Sequence, residues 1–186
     1  MTILLTTILI FMFLILLGLL FWQASLLLAS IIGTPIVYSN SVAVKDAFTL
    51  AGLKKGETVI DLGCGNAKTL ITAAKEFGAK CIGVDRSFYC FLKSKINVIL
   101  AGESRNIKIY LGSFDKIEKE LAKADVIYLY LLNRVLKDIE PWFFAHIGPN
   151  TRVVSLSFWF VKNKPIKEVA TKNLGKETTI RLYAKP

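Results

Sequence analysis

The stretch that decides the fold is Thr-Val-Ile-Asp-Leu-Gly-Cys-Gly-Asn, residues 58–66. Its apolar beginning predicts a buried strand, and Gly63 and Gly65 predict a tight turn in which backbone can approach a ligand closely. Residues 67–77 follow with apolar side chains at helical spacing and predict a helix. The segment therefore predicts a strand, a glycine turn and a helix in succession.

A second apolar strand follows and ends in a carboxylate. It is Cys-Ile-Gly-Val, residues 81–84, and the next residue is Asp85. In nucleotide-binding folds an acidic residue about 20 residues beyond the turn accepts hydrogen bonds from ribose hydroxyls. The bland alternative is an ordinary strand, turn and helix with a glycine-rich connection. The two glycines together with Asp61 and Asp85 favour a nucleotide site.

The acidic residue in this turn indicates which nucleotide would bind. A dinucleotide site has the pattern G-x-G-x-x-G, with the pyrophosphate at a helix N-terminus. Here Lys68 stands at the third glycine position and Asp61 precedes the turn. A carboxylate would repel a pyrophosphate but attract a sulfonium or an ammonium group. The residues therefore favour a cationic nucleoside ligand.

The N-terminal part of the chain predicts a membrane anchor. Residues 1–44 contain no Asp, Glu, Lys or Arg, and residues 3–32 are almost wholly apolar. About 20 apolar residues span a bilayer as a helix, whereas a signal peptide has a basic start and a shorter apolar core. A buried core helix of this length would be too long for a chain of 186 residues. One transmembrane helix is the resulting prediction.

The charges lie on the other side of that anchor and predict its orientation. Lys45, Lys54 and Lys55 follow it, so the positive-inside rule places the C-terminal part in the cytoplasm. The net charge of +10 suits a domain held against anionic lipid. The sequence has no arginine cluster and no aromatic RNA-binding signature, so we do not expect nucleic acid as a partner. The three cysteines show no C-x-x-C spacing, so we expect neither a disulfide nor a metal site.

The rest of the chain predicts alternating strands and helices. A helix over residues 42–51 would be capped by Ser41, and a helix over residues 88–101 would bury Phe91, Leu92, Ile96 and Ile99. A helix over residues 133–147 would be interrupted at Pro141. Further strands are expected at residues 107–111, 125–131, 151–157, 166–170 and 177–184. This order predicts an α/β fold with a mostly parallel sheet, helices on both faces and an antiparallel pair at the end.

Residues 58–66 closely resemble motif I of the class I S-adenosylmethionine-dependent methyltransferases, whose sheet has seven strands in a Rossmann-like arrangement. The resemblance covers about residues 42–186. A narrower likeness is carried by Thr-Pro-Ile-Val-Tyr at residues 34–38, Tyr-Leu-Leu-Asn at residues 130–133 and Thr-Arg-Val-Val-Ser at residues 151–155. These stretches are similar to a membrane-anchored family that includes mitochondrial lysine methyltransferases acting on the ATP synthase c subunit or the adenine nucleotide translocase.

The resemblance implies a set of cofactor-binding residues. Asp61, Gly63 and Gly65 would line the methionine end of S-adenosyl-L-methionine, and Asp85 would hold its ribose. Ser113 falls where the class usually has an Asp facing the adenine amine, and Asp115 is an alternative two residues on.

Three residues are candidates for the catalytic, substrate-facing side. Tyr130 and Asn133 follow the fourth strand, and Tyr38 would fold over the cofactor. The structural alternatives are that Tyr130 is a core residue, that Asn133 caps a helix and that Tyr38 anchors the membrane helix at the interface.

These expectations divide the chain into a transmembrane anchor at residues 1–32, a joint at residues 33–41 and a methyltransferase domain at residues 42–186. The resemblance implies an enzyme that methylates a lysine of a protein at or near the membrane, with its domain on the cytoplasmic side. A small-molecule or lipid methyltransferase fits the same features. So does a non-catalytic nucleotide-binding membrane module.

Overall fold

The computed structural model describes residues 2–31 and 39–185, with side chains in the first helix described at residues 4–27. Its strands are β1 Thr58–Leu62, β2 Lys80–Asp85, β3 Ile107–Leu111, β4 Val126–Leu129, β5 Arg152–Leu156, β6 Lys167–Asn173 and β7 Lys176–Tyr183. Its helices are α1 Thr2–Ile31, α2 Ser41–Ala51, α3 Lys68–Phe77, α4 Phe88–Leu100, α5 Glu118–Leu121 and α6 Asn133–His146, with a 3₁₀ turn at Phe114–Ile117.

The seven strands form one sheet in the order β3-β2-β1-β4-β5-β7-β6. The first five in this order are parallel, and β7 pairs antiparallel with both β5 and β6. The prediction of a Rossmann-like, mostly parallel seven-stranded sheet is confirmed. Strand order reverses between β1 and β4, and in such sheets ligands bind beyond the carboxyl ends of the strands at this point.

The sheet is buried on both faces. Val59 and Tyr128 lie in a hydrophobic cluster with α2 and α3, whereas Ile60 and Leu129 lie in a second cluster with α6. Adjacent residues of a strand point to opposite faces. This explains why β4 is a continuous apolar run rather than an alternating one.

Two helix details differ from the sequence-based expectations. Helix α2 begins at Ser41, and its cap is Asn40, whose side chain accepts a hydrogen bond from the Ala43 amide at 2.8 Å. The prediction that Ser41 caps this helix is wrong. Helix α6 runs without a break through Pro141, so no new segment begins at that proline.

Helix α4 is oriented differently from the prediction. Its buried residues are Cys90, Ser94 and Val98, and Phe91 is half-buried. Three of the residues expected in the core are instead exposed, namely Leu92, Ile96 and Ile99. The prediction failed because α4 is apolar on two faces, and helical periodicity does not tell which of them packs on a sheet.

Helix α1 contains one segment long and apolar enough to cross a membrane, Leu4–Leu27. A signal sequence would pass the same test of length and composition. Near the C-terminal end of this apolar segment, the Trp22 ring stacks on the Tyr89 ring of α4, with ring centroids 5.7 Å apart and an angle of 17° between the ring planes. Helix α1 therefore contacts the domain through α4.

The glycine turn packs tightly on β2 at Gly83, which gives a test of the fold. A Cβ atom at Gly83 would lie 2.7 Å from both Cys64 Sγ and Leu70 Cδ1. Because both neighbours are buried, we expect Gly83→Ala to lower the free energy of unfolding by about 1–3 kcal/mol. Urea unfolding of the full chain in detergent measures this loss. Adding Cys64→Ala removes one of the two close contacts, so the double variant should regain part of the lost free energy of unfolding. If the losses of the two single variants simply add in the double variant, the packing described is contradicted.

Candidate active site

The glycine turn is held against the end of β2 by backbone hydrogen bonds. Gly63 and Gly65 have φ angles of +79° and +55°. Residues other than glycine rarely adopt such positive φ angles. The amides of Gly63 and Cys64 both donate to the Val84 carbonyl, at 2.9 and 3.1 Å. The turn thus begins where β1 and β2 end, and both glycines meet a backbone requirement. Their approach to a ligand stays a prediction.

Asp85 joins this turn to the start of α4. One of its carboxylate oxygens accepts the Gly65 amide at 2.9 Å, and the other accepts the Ser87 amide at 2.9 Å. Burial raises the pKa of Asp85, and these backbone donors oppose that rise. Since each carboxylate oxygen can accept more than one hydrogen bond, Asp85 can brace the turn and still accept ribose hydroxyls.

Asp61 is a buried carboxyl group, only 4% exposed, on β1 beside the turn. Burial raises its pKa to about 8, the nearby Asp85 charge adds to the rise, and a hydrogen bond from the Thr69 side chain opposes it. A cation placed beside this group would stabilise its ionised form. Asp61 is therefore chemically suited to the positively charged end of a ligand, and its contact with that end stays a prediction.

Sequence reasoning missed two residues that hold the turn. One is Thr69, in the first turn of α3, which bonds Asp61. The other is Asn97 of α4, whose side-chain Nδ2 donates to the backbone carbonyl of Asn66 at 2.9 Å. A polar side chain on the buried face of α3 was a usable signal for Thr69. Asn97 lies 31 residues from its partner in the chain, so no local sequence pattern predicts that contact.

Ser113 follows β3 and lies beside the end of β2. Gly112, just before it, donates its amide to the Asp85 carbonyl at 2.9 Å. The Ser113 hydroxyl donates to the Asp115 carboxylate, and this hydrogen bond holds the pKa of Asp115 below its usual range. The two sequence-based candidates for the adenine end are thus one hydrogen-bonded pair.

Tyr130 and Asn133 lie beyond the end of β4 and contact the C-terminal part of the chain. The half-buried Tyr130 packs its ring on Phe158, with centroids 5.7 Å apart, and its hydroxyl accepts from Asn173 Nδ2 at 3.1 Å. Asn133 is the first residue of α6, and its Oδ1 accepts the Trp159 amide at 3.1 Å. Both side chains are held in place at the expected edge of the sheet, and their substrate-facing role stays a prediction.

The chain enters the domain at the same edge. The Ser39 and Tyr128 hydroxyls are 2.7 Å apart, and the Asn40 amide donates to Asn173 Oδ1 at 2.8 Å. Asn173 thereby contacts both the entering segment and Tyr130. Tyr38, the other predicted substrate-side residue, lies outside the described residues.

A buried carboxylate fixes the loop after β5. Glu140 on α6 is 2% exposed and accepts the backbone amides of Val161, Lys162 and Asn163 at 2.8–3.0 Å, together with the Asn163 side chain. Burial alone would raise the pKa of Glu140, but these hydrogen bonds hold it below its usual range. The loop contains Phe158 and Trp159, so Glu140 indirectly positions the partners of Tyr130 and Asn133.

Together, the sheet order, the glycine turn after β1 and the carboxylate at the end of β2 define a class I S-adenosylmethionine-dependent methyltransferase. The structure of an RNA methyltransferase from Salinibacter ruber, solved with S-adenosyl-L-homocysteine, superposes with a TM-score of 0.73 and 26% identity over 81% of this chain and 94% of that one. Residues 61–167 match the family model of the ANTKMT methyltransferase domain. The chain belongs to this family.

Two further comparisons agree with this assignment. A protein-lysine N-methyltransferase of Saccharolobus islandicus is 28% identical over 150 residues, which are 80% of this chain and 92% of that protein. The tRNA methyltransferase TrmK of B. subtilis has a TM-score of 0.65 at 18% identity over 81% of this chain and 67% of that one, and shows the shared fold alone.

The pKa of Asp61 leads to a prediction for cofactor affinity. Because a bound cation lowers that pKa from about 8, binding near neutral pH must release the Asp61 proton. We expect the affinity for S-adenosylmethionine to rise with pH by up to about tenfold per pH unit and to level off above pH 8. Calorimetry across this pH range measures the affinity.

Asp61→Asn is the control, because the amino group of the ligand titrates equally with both proteins. The variant should bind more weakly and lose the part of the pH dependence that belongs to Asp61. Parallel pH profiles for the two proteins would show that Asp61 does not face the positive charge.

Glu140 gives a prediction for stability. Its lowered pKa contributes stability that is present above the unfolded-state pKa and lost as pH falls through the folded-state pKa. We expect Glu140→Gln to reduce the free energy of unfolding at pH 7 by about 2–3 kcal/mol, since a buried charged acceptor is lost. The difference in the free energy of unfolding between Glu140→Gln and the unmodified protein should become smaller at acidic pH. Urea titrations at neutral and acidic pH measure it, with the exposed Glu177→Gln as the control expected to change little.

Proposed function

We propose that this methyltransferase acts on lysine side chains of proteins at a membrane surface. The observation that carries the proposal is the 28% identity to a protein-lysine N-methyltransferase over 92% of that protein's length. This likeness spans nearly the whole relative rather than a cofactor motif alone. It therefore supports a shared class of acceptor.

The proposed division of the chain follows from its apolar start. Residues 1–32 anchor the protein in the membrane, residues 33–41 join the anchor to the domain, and residues 42–186 form the methyltransferase. The apolar segment Leu4–Leu27 supports this division, and the lysines that follow the anchor support a cytoplasmic domain.

The site residues would divide between cofactor and acceptor. Asp61, with the turn of Gly63 and Gly65, would hold the methionine end, Asp85 the ribose, and Ser113 with Asp115 the adenine. The acceptor would then enter beside Tyr130 and Asn133, at the edge where Ser39 contacts Tyr128. Since Tyr38 immediately precedes Ser39, we propose that it contributes to this side of the site.

The reaction needs alignment and a neutral amine. In the transfer, the lysine nitrogen lone pair forms a bond to the methyl carbon as the carbon–sulfur bond breaks. The electron pair of that bond stays on sulfur, which leaves as a neutral thioether, and the new ammonium group gives its proton to water. Positioning of the reacting atoms supplies most of the rate. Apolar surroundings favour the uncharged amine that this step requires.

Other acceptors fit the same site. The 26% identity to an RNA methyltransferase makes RNA the second candidate. A lipid or small-molecule acceptor would suit a membrane-anchored domain. A non-catalytic module would bind the cofactor and transfer nothing.

Radiolabelled S-adenosylmethionine separates these candidates. The full chain is incubated with membranes of its own source, and the label is resolved into protein, lipid and nucleic-acid fractions. We expect label in a protein band, on lysine by mass spectrometry, and its loss with Asp61→Asn. Label confined to lipid or RNA would assign that acceptor instead. Cofactor binding without transfer would support the non-catalytic module.

Two variants connect this assay to the acceptor side. Tyr130→Phe and Asn133→Ala should lower transfer while leaving cofactor affinity within about twofold by calorimetry. An equal loss of cofactor affinity would place these side chains on the cofactor instead.

A further inference from the structure

Helix α4 has a second apolar face that the domain does not cover. Five large side chains between 48% and 80% exposed lie on it: Phe88, Leu92, Ile96, Ile99 and Leu100. Their spacing of three or four residues places them on one side of the helix. That side, the outer stripe, is opposite the buried residues Cys90, Ser94 and Val98.

A contiguous apolar stripe of this kind marks an interaction surface. Single exposed apolar residues are ordinary on soluble proteins, but large contiguous patches indicate a partner or a membrane. The inner face of α4 already supplies the packing that the sheet requires. The outer stripe therefore has another occupant.

The contact with α1 indicates that a lipid bilayer covers the outer stripe. Trp22 stacks on Tyr89, in the first turn of α4, and lies five residues before Leu27, where the apolar segment ends. At 1.5 Å per residue this is about 7.5 Å inside the end of the segment. An amphipathic helix that lies in the plane of a membrane is buried to a depth of about 5–10 Å. If α1 crosses a bilayer, α4 lies at the depth of the interface.

The charges of α4 agree with a lipid surface. The helix contains no Asp or Glu, and Lys93 and Lys95 lie on the two sides of the outer stripe. Their ammonium groups lie 5.5 Å from the Tyr89 ring centroid and 5.9 Å from the Phe91 ring centroid. Lysine stems can cover apolar surface while the ammonium group reaches lipid phosphates.

We propose that α4 is an interfacial membrane helix whose outer stripe inserts between the headgroups and acyl chains of an anionic bilayer. The inference rests on the proposed membrane attachment of α1. It adds a second contact, which fixes the rotation of the domain about the anchor. Because α4 begins three residues after Asp85, the lipid contact also sets how the site faces the membrane.

Environment-sensitive fluorescence tests both contacts in the full chain. Single cysteines are placed at Ile99 on the outer stripe, at Phe13 in the middle of α1 and at the exposed Lys137 on α6. Labelling is done on the folded protein, in which the natural cysteines are buried. The labelled chains are reconstituted into phosphatidylcholine–phosphatidylserine vesicles that contain a spin-labelled quencher lipid. We expect a blue shift and quenching at positions 99 and 13, and an aqueous spectrum at position 137.

The other outcomes separate the two proposals. Quenching at position 13 with an aqueous spectrum at position 99 would overturn the interfacial helix and leave the anchor standing. Aqueous spectra at both positions would overturn both. A blue shift at position 99 without lipid quenching would show that a protein covers the stripe, and would also overturn the inference.

A matched pair of charged variants completes the test. Leu92→Glu with Ile96→Glu should abolish lipid quenching of the label at position 99. Ile166→Glu with Leu174→Glu introduces the same charges at apolar positions of similar or greater exposure at the β6–β7 end of the sheet, and should leave the quenching unchanged. Both pairs should retain cofactor affinity. Should the α4 pair fail to fold, the three labelled positions in the otherwise unmodified chain still decide the question.

Discussion

The hydrogen bonds that join the glycine turn to the end of β2 position the rest of the site. The Val84 carbonyl accepts two amides of the turn, and the Asp85 carboxylate accepts a third. This arrangement brings Asp61 close enough to Asp85 for the two carboxyl groups to interact, and it fixes the start of α3. It requires Gly83, because a side chain there would occupy the space of Cys64 and Leu70. Packing and the proposed cofactor recognition thus depend on the same few atoms.

The residues proposed to hold the cofactor could be identified as candidates from sequence because the features that mark them are local. Two glycines, a carboxylate before the turn and another after the next strand all lie within residues 58–85, and each has its own stereochemical or electrostatic reason. The seven-stranded, mostly parallel sheet was predicted from the alternation of strands and helices and from the resemblance to a known class. The contacts of Glu140 and Asn173 could not be predicted, because their partners are 21 to 133 residues away in the chain. The exposed face of α4 was misassigned because its apolar residues recur at helical spacing on both sides.

The proposed acceptor side of the site is assembled from three distant parts of the chain. Tyr130 follows a central strand, Phe158 follows β5, and Asn173 ends β6. Asn173 also accepts the Asn40 amide, so the segment that enters from α1 is part of the same hydrogen-bonded group. Substitutions in the β6–β7 hairpin would therefore alter the proposed acceptor side without touching the residues proposed to hold the cofactor.

The attachment of Ser39 to Tyr128 limits how far the site can stand from the end of α1. Only eight chain steps separate Ile31 from Ser39, and a fully extended chain of that length reaches at most about 29 Å. If α1 crosses the membrane, an acceptor lysine on a tall, rigid extramembrane domain lies beyond the enzyme, whatever its sequence context. A lysine on a short loop between membrane helices lies within its reach. Substrate choice would then depend on height above the bilayer before it depends on side-chain recognition.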